Sequence, residues 1–266
     1  MKTGFIGTGN MGGAIISGYA DGAAAAGDEV LAYNRTPQKA RAIAAEHPVE
    51  VCGSLEETVR RSDIVVLGIK PNMYEETLPQ IAAEFTADKV LVSMAAGITI
   101  GYLEKTLGSG MKIVRIMPNT PARVGCAMTA VSRNSNVGDD IFADVMEIFT
   151  GIGRAEEVSE DLMDCVIGVS GSSPAYTYMY IDALAKAAEK NGMDREKAVV
   201  FAAQSVMGAA KMVLESDKTP EQLRIDVCSP GGTTIEAVNK LSEEGFEKVI
   251  TDGFQAAVEK SKLMSR

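Results

Sequence analysis

Apolar positions along this chain keep two different rhythms, and the change between them falls near residue 158. Before it, apolar runs of strand length recur at 3–6, 29–33, 63–69, 90–93, 112–116, 125–132 and 153–158, with helical spacing between most of them and a helix over 139–149. Strand and helix in alternation predict βαβ units of the doubly wound kind. From residue 159 onward no convincing strand is left. Helix follows helix: one opening at Ser159-Glu160-Asp161-Leu162, a long alanine-rich one from Pro174 to a stop at Gly192, then 195–214, 229–241 and 246–263. Thr219-Pro220-Glu221-Gln222 reads as a capping box that starts a further short helix, the threonine hydroxyl bonding back onto the first turn.

Ligands of open parallel sheets bind beyond the carboxyl ends of the strands, so the strand ends carry the chemistry. The first strand runs directly into Gly7-Thr8-Gly9-Asn10-Met11-Gly12 and then into a helix. In a dinucleotide site the first glycine permits the turn, the second lets backbone approach the pyrophosphate, and the third lets helix pack on strand. This fingerprint starts so near Met1 that no targeting peptide is expected ahead of the fold. After the second strand comes Asn34-Arg35-Thr36, with Lys39 one turn on, where an enzyme preferring NAD would carry an acid for the ribose hydroxyls. A guanidinium, an ammonium and two short polar groups suit a 2'-phosphate instead, so NADPH is the expected cofactor, with NADH possible.

The other strand ends supply three more segments. Lys70-Pro71 ends one strand; the small residues of Ala95-Ala96-Gly97 would let a nicotinamide ribose lie against backbone; and the two prolines of Met117-Pro118-Asn119-Thr120-Pro121 stiffen a loop that would help place the nicotinamide. The predicted cofactor site therefore comprises Gly7, Thr8, Gly9, Asn10, Met11, Gly12, Asn34, Arg35, Thr36, Lys70, Pro71, Ala95, Ala96, Gly97 and Asn119. The expected fold class is α/β: a doubly wound Rossmann-type NADP(H)-binding domain over 1–158, followed by an all-α substrate and dimerisation domain over 159–266.

The dimer expectation comes from side-chain size. Ala183, Ala187, Ala188, Ala202, Ala203, Gly208, Ala209 and Ala210 leave the helical half only a thin core of its own, and close packing against a second copy would thicken it. A homo-oligomer, either a dimer or an assembly of dimers, is predicted, with the substrate pocket near the subunit boundary. In the same half, Ser229-Pro230-Gly231-Gly232-Thr233-Thr234 reads as a helix start with Ser229 as N-cap and Pro230 in the first position. Unpaired amides at Gly231 and Gly232 would donate to a carboxylate at the positive end of the helix, and Thr234 would point a hydroxyl at a neighbouring group. Ser229, Gly231, Gly232, Thr233 and Thr234 are accordingly the candidate substrate-binding residues for an amino or imino acid. A tight turn that merely starts a surface helix would carry the same residues.

Composition removes other classes. With 266 residues, 46% of them hydrophobic, the chain can bury one substantial core and a smaller second one. A formal net charge of -10, with no basic and aromatic cluster to offset it, leaves no nucleic-acid partner expected. The apolar stretches are strand-length or broken by glycine and polar residues, so none is expected to fill the roughly 20 residues of a membrane span. Cys52, Cys126, Cys165 and Cys228 lack metal-ligand or disulfide spacing; no metal is expected, and reduced thiols point to the cytoplasm.

In order and approximate spacing, the G-x-G-x-M-G from Gly7, Lys70-Pro71, Ala95-Ala96-Gly97, Met117-Pro118-Asn119-Thr120-Pro121, Val169-Ser170-Gly171-Ser172-Ser173-Pro174-Ala175-Tyr176 and the Ser229 to Thr234 motif are those of one family. The chain closely resembles the pyrroline-5-carboxylate reductases from end to end. One departure is Ser173, where the family usually has glycine. The resemblance implies NADPH-dependent reduction of the cyclic imine Δ1-pyrroline-5-carboxylate to L-proline, the last step of proline biosynthesis. It also implies a substrate carboxylate on the late motif and a ring nitrogen hydrogen-bonded by Thr234, the catalytic group. A protonated imine already carries its proton and its charge, so hydride transfer requires chiefly orientation and desolvation. That accounts for a chain whose one histidine, His47, reads as a surface residue. Two other readings compete. A β-hydroxyacid dehydrogenase would carry a catalytic lysine where this chain has Thr177, with Lys186 too far along, and a noncatalytic NADP(H) sensor would not need the late motif.

Overall fold

The computed structural model describes residues 1–265. Strands β1 (Lys2–Ile6), β2 (Glu29–Tyr33), β3 (Val49–Val51), β4 (Ile64–Leu67), β5 (Val90–Ser93), β6 (Lys112–Met117), β7 (Ala127–Arg133) and β8 (Gly153–Glu157) form one sheet in the order β3-β2-β1-β4-β5-β6-β7-β8. Helices α1 (Asn10–Ala25), α2 (Pro37–Ala44), α3 (Leu55–Arg61), α4 (Tyr74–Ala82), α5 (Ile100–Leu107) and α6 (Asp139–Thr150) link the strands. All pairings from β3 to β6 are parallel, and the strand order reverses between β1 and β4, which opens a crevice beyond their carboxyl ends.

β7 runs antiparallel to β6, and β8 runs parallel to β7. The physical reason is the length of the connection. Only a 3₁₀ turn, Thr120–Val124, joins β6 to β7, too little chain for the crossover that a parallel neighbour demands. The predicted βαβ alternation did not distinguish this reversal, and the short edge strand β3 lay outside the predicted runs.

Both faces of the sheet are covered, and adjacent residues of one strand serve opposite layers. Phe5, Val66, Val92 and Val114 pack with Ile15, Ile16 and Tyr19 of α1 and with Val145, Ile148 and Phe149 of α6. Ile6, Val65, Leu91 and Ile113 pack instead with Val59 of α3, Leu78 and Ile81 of α4 and Leu103 of α5. This two-sided cover is why the inner strands read as unbroken apolar runs. Each large side chain so buried contributes about 1.5–3 kcal/mol, so the sheet is the rigid frame from which the strand-end loops project.

Beyond β8 the single helix expected from residue 159 is three pieces: a 3₁₀ turn (Glu160–Leu162), helix α7 (Met163–Val166) and a π-turn (Ile167–Gly171). Helices α8 (Ser173–Lys190), α9 (Arg195–Glu215), α10 (Pro220–Asp226), α11 (Thr233–Glu243) and α12 (Phe246–Met264) follow. The described residues form two compact units: one holds Met1–Ser172 with residues 257–265, the other holds Ser173–Ala256.

In the second unit local signals decide the helix ends. α8 closes with Met193 N–H donating to Ala188 O at 3.1 Å and Gly192 N–H donating to Glu189 O at 3.0 Å, a Schellman arrangement. Asp194 caps α9 by accepting from Lys197 N at 3.0 Å, and Thr219 caps α10 by accepting from Gln222 N at 3.2 Å. The core is as thin as side-chain size predicts. Among the described residues of α8 to α11, only Ala185, Ala198 and Ala202 are buried, while Tyr178, Phe201, Met207 and Leu214 are each about 60% exposed. One expectation needs correcting here. By length and composition alone α9 is long and apolar enough to cross a membrane, because Gly208 and Lys211 interrupt its apolar run without lowering the average enough.

Candidate active site

At the β1–α1 turn the glycines are needed by one another. Gly7 adopts φ +101°, and a Cβ there would stand 2.6 Å from the carbonyl oxygen of Gly68 at the end of β4. A Cβ on Gly12 would stand 2.2 Å from Gly7 O. Gly9 is different: its φ of -73° and ψ of -167° suit any residue, and a Cβ there would meet nothing within 4 Å. No neighbour in the chain requires glycine at this position, whereas a pyrophosphate lying on the backbone would. Gly9 is also the N-cap of α1, without a side-chain cap and without an acid in the first turn. The first amides of α1 therefore have no helical acceptor, and the positive end of the dipole is uncompensated. Thr8 adds a buried hydroxyl with no hydrogen-bond partner among the described residues.

Asn34 ties this loop to the next strand end. Its Oδ1 accepts from Thr8 N at 3.0 Å and its Nδ2 donates to Thr36 O at 2.9 Å. Arg35, Thr36 and Lys39 are exposed beyond it, and the side chains of Arg35 and Lys39 make no ion pair or hydrogen bond with another described residue. In a chain with 36 acidic and 26 basic side chains, cations left unpaired at one cleft mark an anion site. The cleft measures about 280 Å³ and brings together Gly7, Gly9, Asn34, Arg35, Thr36 and Lys70, with Glu76 on its wall. Gly68, Ile69 and Met73 also line it; Gly68 was the readable one of these, as a glycine at a strand end. Thr8, Gly9 and Asn10 line an adjoining groove of about 530 Å³. These unpaired cations, uncapped amides and the open position at Gly9 fit a phosphorylated dinucleotide.

Other predicted residues are placed elsewhere. Met11 and Gly12 lie in the first turn of α1, and Pro71 opens a 3₁₀ turn. Ala95 is buried in the α3–α5 layer, and Ala96 packs beside Met117, Ala130 and Met163. A Cβ on Gly97 would stand 2.4 Å from Met264 O, so the approach of the end of α12 already demands a glycine. Asn119, 8% exposed, donates through Nδ2 to Ser170 O at 3.1 Å and accepts at Oδ1 from Met128 N at 2.9 Å. Its amide thereby joins the β6–β7 turn to the π-turn. Asn119→Ala is expected to cost about 2–4 kcal/mol in urea unfolding, the penalty for two polar partners left unpaired; an unchanged midpoint would mean that water replaces both bonds.

The late motif departs from the expected helix start. α11 begins at Thr233 with Gly232 as its N-cap, so Ser229 is not the cap. Ser229 to Gly232 form a turn instead, with Gly232 N–H donating to Ser229 O at 3.0 Å and Gly231 at φ +69°. Proline second and a positive-φ glycine third make this a type II turn. Gly232 N–H is consumed by it. The amides left for an anion are that of Gly231 and those of Thr233, Thr234 and Ile235, the last three in the first turn of an eleven-residue helix with no side-chain cap. Thr233 and Thr234 are both exposed.

His47, read as a surface residue, and Thr177, which stands in place of a rival family's base, both have partners within the fold. His47 Nδ1 lies 3.2 Å from Asp21 Oδ2, and Thr177, where a β-hydroxyacid dehydrogenase carries its lysine, donates its hydroxyl to Ser173 O at 3.0 Å. Ser173 itself is the first residue of α8, directly after the π-turn and its following Ser172.

Residues 160–264 match the family model described as pyrroline-5-carboxylate reductase dimerisation, and residues 2–97 match that described as NADP oxidoreductase coenzyme F420-dependent. The pyrroline-5-carboxylate reductase of Escherichia coli strain K12 is 43% identical over 265 residues, which cover 100% of this chain and 98% of the relative. The chain belongs to the pyrroline-5-carboxylate reductase family. A crystal structure of the Plasmodium falciparum pyrroline carboxylate reductase with NADP bound superposes with a TM-score of 0.88 at 33% identity, covering 100% of this chain and 98% of that one. The Mycobacterium tuberculosis 3-hydroxyisobutyrate dehydrogenase reaches a TM-score of 0.53 at 16% identity, covering 97% and 98%, and shares the fold alone. As a member of the reductase family the protein is an NAD(P)H-dependent oxidoreductase, with a Rossmann-type NADP-binding half and a helical dimerisation half.

Proposed function

We propose that this reductase converts Δ1-pyrroline-5-carboxylate to L-proline with NADPH, closing proline biosynthesis in the cytoplasm, where its four free thiols stay reduced. The observation that carries the reading is the pairing of two anion sites of different kind in one chain. One is the uncapped start of α1 beside the unpaired Arg35 and Lys39; the other is the uncapped start of α11 with Thr234 in its first turn.

NADPH, when bound, supplies the hydride and its electron pair. Gly7 to Gly12 and the first amides of α1 take the pyrophosphate; Arg35, Thr36 and Lys39 take the 2'-phosphate. Lys70, Pro71, Ala95 to Gly97 and Asn119 would border the nicotinamide half, chiefly through backbone, since the Asn119 amide is engaged, Ala95 is buried and Gly97 lies against Met264. The substrate carboxylate rests on the amides at the start of α11, with the type II turn of Ser229 to Gly232 shaping the approach. The iminium N–H donates to Thr234 Oγ1, which orients the ring. The product nitrogen is left as an amine and takes its second proton from water, so no strong acid is required.

The apolar side chains left exposed on α8 and α9, Tyr178, Phe201, Met207 and Leu214 among them, are covered by a second copy of the chain. On this reading the apolar surface of α9 is an interface and not a membrane span.

The direct experiment is NADPH oxidation by the purified protein with pyrroline-5-carboxylate, beside NADH and beside a 3-hydroxy acid with NADP+. Rapid imine-dependent loss of NADPH is expected. Oxidation of the hydroxy acid alone would overturn the substrate assignment, and dinucleotide binding without turnover would make the protein a sensor. Arg35→Ala is expected to raise KM for NADPH about 10- to 100-fold and leave that for NADH unchanged, the loss of a charge-assisted bond; equal loss for both would remove Arg35 from the 2'-phosphate.

A further inference from the structure

The β6–β7 turn holds a cation for which the reading above has no use. Arg123 sits in the 3₁₀ turn Thr120–Val124, is exposed, and its side chain makes no hydrogen bond or ion pair with another described residue. Its backbone is well held. Ala122 beside it is buried, Gly125 N–H donates to Ala122 O at 3.2 Å, and Cys126 N–H donates to Pro121 O at 3.1 Å. A turn tied at both ends carries its side chain from a fixed origin.

Arg123 lines the groove of about 530 Å³ that Thr8, Gly9, Asn10 and Lys39 also line. In the sheet, β2 and β6 lie on opposite sides of β1, so the glycine loop is flanked by Lys39 from the β2 side and by Arg123 from the β6 side. Arg123 does not border the cleft that Arg35 and Thr36 share; the groove it lines is that of the glycine loop. The partial charge at a helix start, about half a unit, does not neutralise the two negative charges of a pyrophosphate, and a guanidinium can meet two phosphate oxygens at once.

We propose that Arg123 is a further cofactor-contacting residue that closes on the dinucleotide pyrophosphate from the β6–β7 turn. The assignment rests on the NADP(H) reading of the glycine loop. It divides the cationic work: Arg35 distinguishes NADPH from NADH, and Arg123 binds what the two share.

The test is fluorescence titration of the intact protein with NADPH and with NADH, for the wild type, Arg123→Ala, Arg123→Lys and Arg35→Ala. Arg123→Ala is expected to weaken both dinucleotides by the same factor, about tenfold, and Arg123→Lys to recover part of the loss. Arg35→Ala should weaken NADPH only. The melting temperature serves as the folding control, and it should not move in Arg123→Ala because the Arg123 side chain makes no bond with another described residue. Unchanged affinity for both dinucleotides in Arg123→Ala overturns the proposal, as does a loss confined to NADPH, which would place Arg123 on the 2'-phosphate. Failure of the wild type to bind either dinucleotide would instead sink the NADP(H) reading beneath it.

Discussion

Thr234→Ala is expected to lower imine turnover by about 100-fold, while the dissociation constant for NADPH stays where it is in the wild type. That factor corresponds to about 2.7 kcal/mol of transition-state stabilisation, within reach of one oriented hydroxyl on a substrate that brings its own proton. The substitution isolates chemistry from folding for a structural reason. Thr234 is exposed in the first turn of α11, where the N-cap is Gly232 and no side chain caps the helix, so its hydroxyl supports nothing in the fold. Steady-state kcat with saturating imine, read beside an NADPH titration, separates the two effects. Thr234→Ser should keep most of the activity. Unchanged turnover in the alanine variant would move the nitrogen contact to solvent or to another group.

Gly9→Ala and Gly12→Ala should fail in opposite ways. A methyl on Gly12 would lie 2.2 Å from Gly7 O, a backbone atom that cannot step aside without moving β1 or α1. Overpacking of that kind costs about 3 kcal/mol, a fall of roughly 6–12 °C in melting temperature for a unit of this size. A methyl on Gly9 meets nothing in the chain, and its φ of -73° is one that alanine adopts. Gly9→Ala should therefore melt with the wild type and lose NADPH affinity by about 10- to 100-fold, since the methyl stands where the pyrophosphate meets the amides. Calorimetry and NADPH fluorescence on the two variants decide the matter. Normal cofactor binding by Gly9→Ala would reduce the fingerprint to a packing device.

The fold class was legible because its signals are local. Strand-length apolar runs such as Ile64 to Leu67, the glycine turn after β1, the Thr219 cap and the stop at Gly192 each depend on a few adjacent residues and on backbone rules that hold in any context. The cationic end of β2 was legible for the same reason: an acid is absent where NAD would want one, and Arg35 stands there. The start of α11 was misplaced by three residues because a proline after serine suits the first position of a helix and the second of a type II turn equally well. The left-handed φ of +69° at Gly231, which a right-handed helix does not contain, separates the two.

By itself, then, the sequence determined the fold class, the run of strands and helices apart from β3 and the broken helix after β8, NADP as the cofactor, and the family. Tertiary structure decided what depends on residues far apart in the chain. It showed that Gly12 is held against Gly7 and Gly97 against Met264, that the Asn119 amide is spent on Ser170 and Met128, and that β7 turns back along β6. It also brought Arg123 into the groove of the glycine loop more than a hundred residues away. Such juxtapositions follow from which strands pair and which carbonyls approach, and no local propensity encodes them.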